Sequence, residues 1–433
     1  MRAMTYATVF VAAAGYLVIW VASKALPKAG YEDFMVYWSM FFALTGVLDG
    51  LMQETARAVT TRRELDGPAV PHTRTAAPFR ISAIVAAVIA IIMAATGPLW
   101  VDQIVPSMPG WGVGLMAIGL ASYTFQAVVC GLLSAANAWG VFAWLIAIDS
   151  GVRLVLAAVA WAVGWHVLAF LIVTVLGALT WLFILLVSGQ ACELLPERAD
   201  VATNAFLSRA GKAMIAAGAN AILITGFTVL LRYTSASDVP PGALAATITA
   251  VTLTRAPILV PLQRFQPALI VHFTKHRNHV LRAAALPIGA VAGVAVVGGL
   301  AAWAIAAPLM GIFFDADLIA PPATLGLLTV ASGATAILMI SGSAALAADR
   351  HNLYTTGWLV ATAVTIGILT INASADTRAI LALGIGPLVG AVVQLGLLSF
   401  LPTPDYAGTG SDRSDRLDRP DTPADTTSFP DKV

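Results

Sequence analysis

Three observations predict an all-α polytopic membrane protein of about twelve transmembrane helices. Hydrophobic residues make up 59% of the 433 and charged residues only 11%, far more apolar side chain than one soluble core buries. The apolar residues gather into runs of about 18–25, long enough at 1.5 Å per residue to cross a hydrocarbon layer. Lysine and arginine are shared unequally between alternate connections, as orientation in a bilayer requires.

Taken in chain order, the runs are 4–23, 33–56, 79–100, 111–134, 141–164, 167–190, 210–231, 243–272, 283–308, 322–345, 353–372 and 379–401. The first starts just after Arg2 and ends in the small-residue stretch VASKA. Its apolar run is longer than a signal-peptide core, so it reads as a helix. The eighth is long enough to be tilted or broken, and it carries Pro257, Pro261 and Pro267, each of which removes a backbone donor. Pro106 to Gly110, Pro240 to Gly242 and Pro321 to Pro322 mark turns. If the N-terminus is inside, about seventeen lysines and arginines fall on that side, against Lys24, Lys28, Arg232 and Arg378 on the other. Both termini are therefore expected in the cytoplasm.

The connection at 193–208 divides the spans six and six, into an N-terminal lobe (1–192) and a C-terminal lobe (209–401), and transporters built from such repeats bind at the repeat interface. A weak internal correspondence fits. The second span leaves through LDGLMQETAR and the eighth through RAPILVPLQR, each loading polar groups toward its cytoplasmic end. Residues 402–433, with the run SDRSDRLDRPD, bury nothing and read as a disordered cytoplasmic tail. The loop Thr60 to Pro78 reads as polar and flexible.

Several chemistries are excluded or left without a signal. Cys130 and Cys192 are the only cysteines, so neither a disulfide framework nor a cysteine metal site is expected. No GxxxxGK[ST] loop or HExxH helix occurs, and no cofactor is expected; energy would come from H⁺, Na⁺ or the membrane potential. A net charge of +1 with dispersed basic groups gives no reason for a nucleic-acid partner. His276 and His279, in TKHRNH, read as a solvated basic loop, with contact to lipid phosphate as the alternative.

Seven ionisable side chains within the apolar runs or just past a run's end are the candidate functional groups: Asp49, Glu54, Arg57, Asp149, Arg153, Arg255 and Arg264. A charged side chain at the bilayer centre costs about 2.5–3.5 kcal/mol on insertion scales, so it faces the bundle interior or a wet cavity and marks substrate paths. Arg153 and Arg255 fall near mid-membrane in opposite halves. Arg153 also stands one turn after Asp149, in the acid-first order that favours an ion pair. Arg255 has no acid at helical spacing, and reads as substrate-facing or paired with Asp49 or Glu54. Arg264 lies nearer the cytoplasmic mouth, where snorkelling also explains it. Asp49, Gln53 and Arg57 share one helical face with Glu54 beside them, a face that cannot look at lipid. Asp49 could neutralise an arginine, bind H⁺ or Na⁺, or gate a cavity, while Glu54 and Arg57 also fit simple interfacial solvation.

With GYEDFMVYWSMFFALTGVLDGLMQETAR, NAWGVFAWLIAIDSGVRL and TRAPILVPLQRFQPAL on its twelve spans, the chain resembles the polysaccharide-transporter branch of the multidrug/oligosaccharidyl-lipid/polysaccharide (MOP) exporter superfamily, and is similar to O-antigen flippases. The resemblance implies two lobes around a basic cavity and alternating access. It also implies translocation of a polyprenyl-phosphate- or pyrophosphate-linked glycan from the inner to the outer leaflet of the bacterial cytoplasmic membrane, with membrane lipids and envelope glycosyltransferases as partners. Carried onto this chain, the cavity cations are Arg153 and Arg255, with Arg57 and Arg264 at the entrance, and Asp49, Glu54 and Asp149 serve coupling or gating. Two readings compete. One is a cation-coupled small-molecule exporter of the same superfamily, with Asp49 and Asp149 binding H⁺ or Na⁺; the other is a non-transporting scaffold acting through the tail.

Overall fold

The computed structural model describes residues 2–65, 75–235, 240–276 and 279–400, and everything regular among them is helical. The long helices are α1 Arg2–Ala25, α2 Lys28–Leu65, α3 Pro78–Ile104, α4 Pro109–Ala135 and α5 Trp139–Val163. They continue with α6 Val167–Val187, α7 Thr203–Ile224, α8 Ala245–Lys275, α9 Val280–Phe313, α10 Pro322–Ala347, α11 His351–Leu369 and α12 Ala375–Phe400. Eleven are long and apolar enough to cross a membrane, and twelve if α7 and the short helix Phe227–Tyr233 count as one bent span. The protein is thus an all-helical, multi-pass membrane protein, and each expected run has its helix. Proline opens α3, α4 and α10, where the missing N–H is an orphan in any case. Gly164, at φ 75°, closes α5 in the left-handed conformation. The expected tail at 402–433 and part of the Thr60 to Pro78 loop lie outside the described residues.

The breaks fall elsewhere than the prolines suggest. The eighth span, the one expected to be broken, runs as a single helix through Pro257, Pro261 and Pro267. The bend sits in the seventh, where Ile224 and Phe227 end two helices 67° apart. The amides of both Thr225 and Gly226 turn back to the carbonyl of Ala221, which ends the regular ladder. A Cβ on Gly226 would lie 2.7 Å from the Ile222 carbonyl and 3.2 Å from Ala43, so only glycine fits this corner. The sixth span is interrupted more gently, by a 3₁₀ turn at Gly177–Leu179, and α9 contains a π-helical stretch at Ala302–Ala306.

Packing follows side-chain size. Helices α2 and α7, from opposite halves of the chain, cross closely because their facing residues are small. Gly46 meets Ala221, Gly218 meets Val47, and Gly50 abuts the backbone of Ala213 and Met214. Small residues allow such backbone approach where no hydrophobic drive operates between helices in lipid. Helix α10 is enclosed by α8, α9, α11 and α12. Helix α9 is mostly exposed and presents Leu286, Val297, Leu300 and Ile312 outward, as a lipid-facing helix must.

The face opposite the start of α1 and the end of α12 is held together across the two halves. Glu32, at the start of α2, is almost wholly buried; it pairs with Arg232 and accepts the Leu244 amide at 2.8 Å. Arg232 also donates to the Gln103 carbonyl at 2.9 Å. Lys24 pairs with Asp315 at 2.8 Å, the Trp20 indole donates to the Phe313 carbonyl at 2.9 Å, and Tyr31 bonds Thr249 at 3.1 Å. Lys28 stands 4.0 Å from Asp317. Arg378 donates to the carbonyls of Leu369 and Thr234, the last turns of two helices. All four cations read from sequence onto this side are therefore engaged in polar contacts.

Candidate functional site

Between the two halves lies a chamber of three adjoining compartments. The first, about 290 Å³, is walled by α1 and α2 and contains Asp149 and Arg153 of α5 and Thr252 of α8. The second, about 270 Å³, holds Arg255, Ser39, Thr225 and Thr228. These two share Tyr16, Ile19, Trp38 and Thr252. The third, a vestibule of about 910 Å³, meets the second at Ile224, Thr225 and Gln263 and reaches His351 and Tyr354 at the start of α11. The chamber thus widens from mid-membrane toward the face where α1 begins and α12 ends.

Arg153 lies about 15 Å from the nearer end of α5, counting 1.5 Å per residue. It is 3% exposed, pairs with Asp149 at 2.9 Å and donates through Nε to the Thr174 carbonyl at 3.1 Å. Its guanidinium stands 5.0 Å from the Phe42 ring centre and 5.9 Å from that of Phe41. Only Nη2 is left without a partner. The acid-first pair expected from spacing exists, and it commits most of this cation to its own helix and to α6.

Arg255 sits at similar depth in α8 and, among the described residues, pairs with no carboxylate. Its Nη2 donates to the Leu223 carbonyl at 3.2 Å, its Cζ stands 5.9 Å from the Phe227 ring centre, and Nε has no partner. The alternative of a pair with Asp49 or Glu54 is overturned. Asp49 accepts from the Tyr123 hydroxyl at 2.8 Å, and Glu54 is taken by Arg57 through two bonds of 2.7 and 2.8 Å.

The two midplane arginines therefore line neighbouring compartments joined by Tyr16 and Trp38, and they differ in state. One is internally neutralised and the other carries an uncompensated charge. Asp49 and Gln53 open onto the vestibule as their shared face requires. Arg57, one turn further, does not line the chamber. It joins Glu54 and, at 3.2 Å, Asp200, which Arg209 approaches at 3.7 Å. This network, with Arg63 to Glu197 at 2.8 Å, fastens the inter-half connection to α2. Arg57 thus forms a structural tie, and in place of the solvation expected of Glu54 there is a buried ion pair. The side chain of Arg264 lies outside the described residues.

Sequence reasoning passed over Tyr16, Trp38, Tyr123, Asn220, Gln263 and Gln266. The two glutamines stand at i and i+3 in PLQRFQPAL and so share a helical face, a signal available from spacing alone. Among the described residues no group of three or more His, Cys, Asp or Glu is gathered to hold a metal ion.

No protein-family model matches the chain. It is 37% identical over 393 residues to the uncharacterized protein Mb3654 of Mycobacterium bovis, spanning 91% of this chain and 90% of that one. It is 36% identical over 396 residues to the uncharacterized protein Rv1510 of Mycobacterium tuberculosis, spanning 92% and 90%. Among solved structures, an inward-facing multidrug-resistance MATE family transporter of the MOP superfamily superposes with a TM-score of 0.69 at 14% identity, over 89% of this chain and 93% of that one. The outward-facing conformation of a MATE family transporter of that superfamily gives 0.64 at 14%, over 92% and 94%. A MOP superfamily transporter from Pyrococcus furiosus, described as having a binding pocket of reversed polarity, gives 0.62 at 16%, over 92% and 93%. The fold is therefore that of the MOP superfamily transporters.

Proposed function

Since the chain belongs to one family with the mycobacterial proteins Mb3654 and Rv1510 and has the fold of MOP superfamily transporters, we propose that it is an alternating-access membrane transporter. Its cargo, on this reading, is a polyprenyl-phosphate-linked sugar or short oligosaccharide, moved between the leaflets of the bacterial cytoplasmic membrane for envelope polysaccharide synthesis. Both termini lie in the cytoplasm.

One observation carries the reading: Arg255, without a carboxylate partner, sits at the inner end of a chamber that is closed on one face by cross-half ion pairs and widens toward the other. A lone guanidinium at mid-membrane is costly unless an anion or water meets it, and a phosphate accepts its planar donors in pairs. One such cation suits a monophosphate better than a pyrophosphate. The sugar follows in the vestibule while the polyprenyl chain stays in lipid. Breaking the Glu32 and Lys24 contacts while the opposite face closes delivers the head group to the other side. H⁺, Na⁺ or the membrane potential supplies the drive, and envelope glycosyltransferases supply and consume the lipid-linked sugar.

A second reading has its own observation. Among the described residues Asp49 is the one carboxylate of the vestibule, and the MATE neighbours are multidrug-resistance transporters, so a cationic small-molecule exporter is the competitor. Depletion of the protein in its host separates the two. A lipid-linked sugar accumulating on the inner leaflet, restored to the outer one by the wild type and not by Arg255→Ala at equal membrane abundance, supports the flippase. Unchanged lipid-linked sugars with heightened sensitivity to organic cations, rescued by wild type and not by Asp49→Asn, support the exporter.

A further inference from the structure

The vestibule differs in chemistry from the arginine compartments. Among the described residues no lysine or arginine lines it, and Asp49 is its single carboxylate. Three glutamine side chains face into it from two helices: Gln53 of α2, and Gln263 and Gln266 of α8. Among the described residues none of the three makes a side-chain hydrogen bond, and Gln53 and Gln263 are exposed to the hollow. Two further groups complete the wall. The Asn220 amide donates to the Tyr354 hydroxyl at 3.2 Å, its carbonyl making no hydrogen bond among the described residues, and one Asp49 oxygen is taken by Tyr123.

Each glutamine offers two N–H donors and a carbonyl acceptor, so it can give to and take from a hydroxyl group. Left empty of partners at this depth, such groups must hold water. A ligand that displaces the water without replacing its bonds loses affinity, and one that reproduces both donor and acceptor bonds does not. A hydrocarbon chain reproduces neither. An anion satisfies the N–H groups but faces the amide carbonyls and Asp49. A polyhydroxylated, uncharged group satisfies all of them. Gln263 lines both the vestibule and the Arg255 compartment, so a group held there is adjacent to whatever Arg255 holds.

We propose that the vestibule is a subsite for an uncharged, polyhydroxylated group, a neutral sugar, recognised by Gln53, Gln263 and Gln266 together with Asp49. The assignment rests on the chamber being a substrate path, and it divides that path into an anion end at Arg255 and a neutral-sugar end at the amides. Charged sugars such as uronic acids are then disfavoured by Asp49 and by the amide carbonyls.

The test uses the full chain in lipid nanodiscs and three photoreactive short-chain isoprenyl probes: the phosphohexose, the hexoside without phosphate, and the phosphate without sugar. Removal of two vestibule amides that do not line the Arg255 compartment, in Gln53→Leu/Gln266→Leu, should weaken the two hexose-bearing probes by about tenfold, the loss of one to two hydrogen bonds. It should leave the isoprenyl phosphate unchanged, which also reports that the variant is folded. Arg255→Gln should do the reverse. Hexoside binding that is indifferent to the amide pair overturns the subsite. Phosphate binding that is indifferent to Arg255→Gln, with hexoside binding still dependent on the amides, overturns the anion end and leaves the sugar subsite standing. A chamber that takes decyltrimethylammonium in an Asp49-dependent way and none of the three probes overturns both.

Discussion

Arg255 of the eighth span donates through Nη2 to the carbonyl of Leu223, 3.2 Å away, one residue before α7 ends at its 67° bend. Arg153 does the same on the other side of the chamber, its Nε giving to the Thr174 carbonyl just ahead of the 3₁₀ turn at Gly177–Leu179. Each midplane guanidinium thus serves a carbonyl beside an interruption in a neighbouring span. Cations are favoured at such helix ends, and in lipid the freed backbone groups must be satisfied internally. Structural and substrate roles coincide at Arg255, because its Nε remains without a partner beside the compartment.

That coincidence makes lysine an informative replacement. Arg255→Lys keeps a positive charge and a donor for the Leu223 carbonyl but loses the planar fork. If Arg255 only supports the bend, the lysine protein transports normally. Recognition of phosphate predicts transport lowered by roughly ten- to a hundredfold, the value of a charge-assisted hydrogen bond of about 1.5–3 kcal/mol, at unchanged thermal stability. Initial rates of lipid-linked sugar translocation in proteoliposomes, set beside a melting curve, decide between them.

The Asp149 to Arg153 pair behaves differently, because neither group is free. Removing one partner strands the other charge in the protein interior, which costs about 3–5 kcal/mol, whereas replacing both with apolar residues is often nearly neutral. Asp149→Leu should therefore lower the melting temperature strongly, and Asp149→Leu/Arg153→Met should recover most of the loss. The double variant should also keep measurable transport. Stability that falls further in the double than in the single variant would show the two acting independently.

Sequence pattern located the spans well because apolar length and turn residues act locally. It failed where a partner lies far along the chain. Glu32 reads only as polarity at a span entrance, since Arg232 is 200 residues away, and the carbonyls that hold Arg153 and Arg255 leave no mark in composition. The three prolines of α8 drew expectation to the wrong span. The bend needs only Thr225 and Gly226 inside an apolar run. Asp149 to Arg153 was legible because four residues is a helical turn. Gln263 and Gln266 were equally legible by spacing and were passed over because an amide carries no charge to flag it.

The crossing of α2 and α7 gives a prediction about assembly of the halves. A methyl group on Gly50 would collide with the backbone of Ala213 and Met214, which cannot swing aside as a side chain can. Gly50→Ala should cost about 1–3 kcal/mol through overpacking. Gly15→Ala is the control, with nothing within 4 Å of its added carbon. Thermal unfolding of the two purified proteins checks this, and equal melting temperatures would count against the close crossing.

The closed face can be locked. Lys24 and Asp315 come from opposite halves, are joined at 2.8 Å and remain partly exposed at 27% and 62%. An exposed pair of this kind contributes at most about 1 kcal/mol and is screened by salt, so it opens readily once the buried Glu32 to Arg232 contact is released. A covalent bridge at the same place removes that freedom. In a Cys192→Ser background, with Cys130 buried and Cys192 exposed in the parent, Lys24→Cys/Asp315→Cys joined by a short reducible cross-linker should stop transport. Reductant should restore it. The cross-linked protein should still label with the isoprenyl phosphate from the open face, since the chamber is reached from the terminus side. Full transport in the cross-linked state would mean that this face need not open, and alternating access through it would be abandoned.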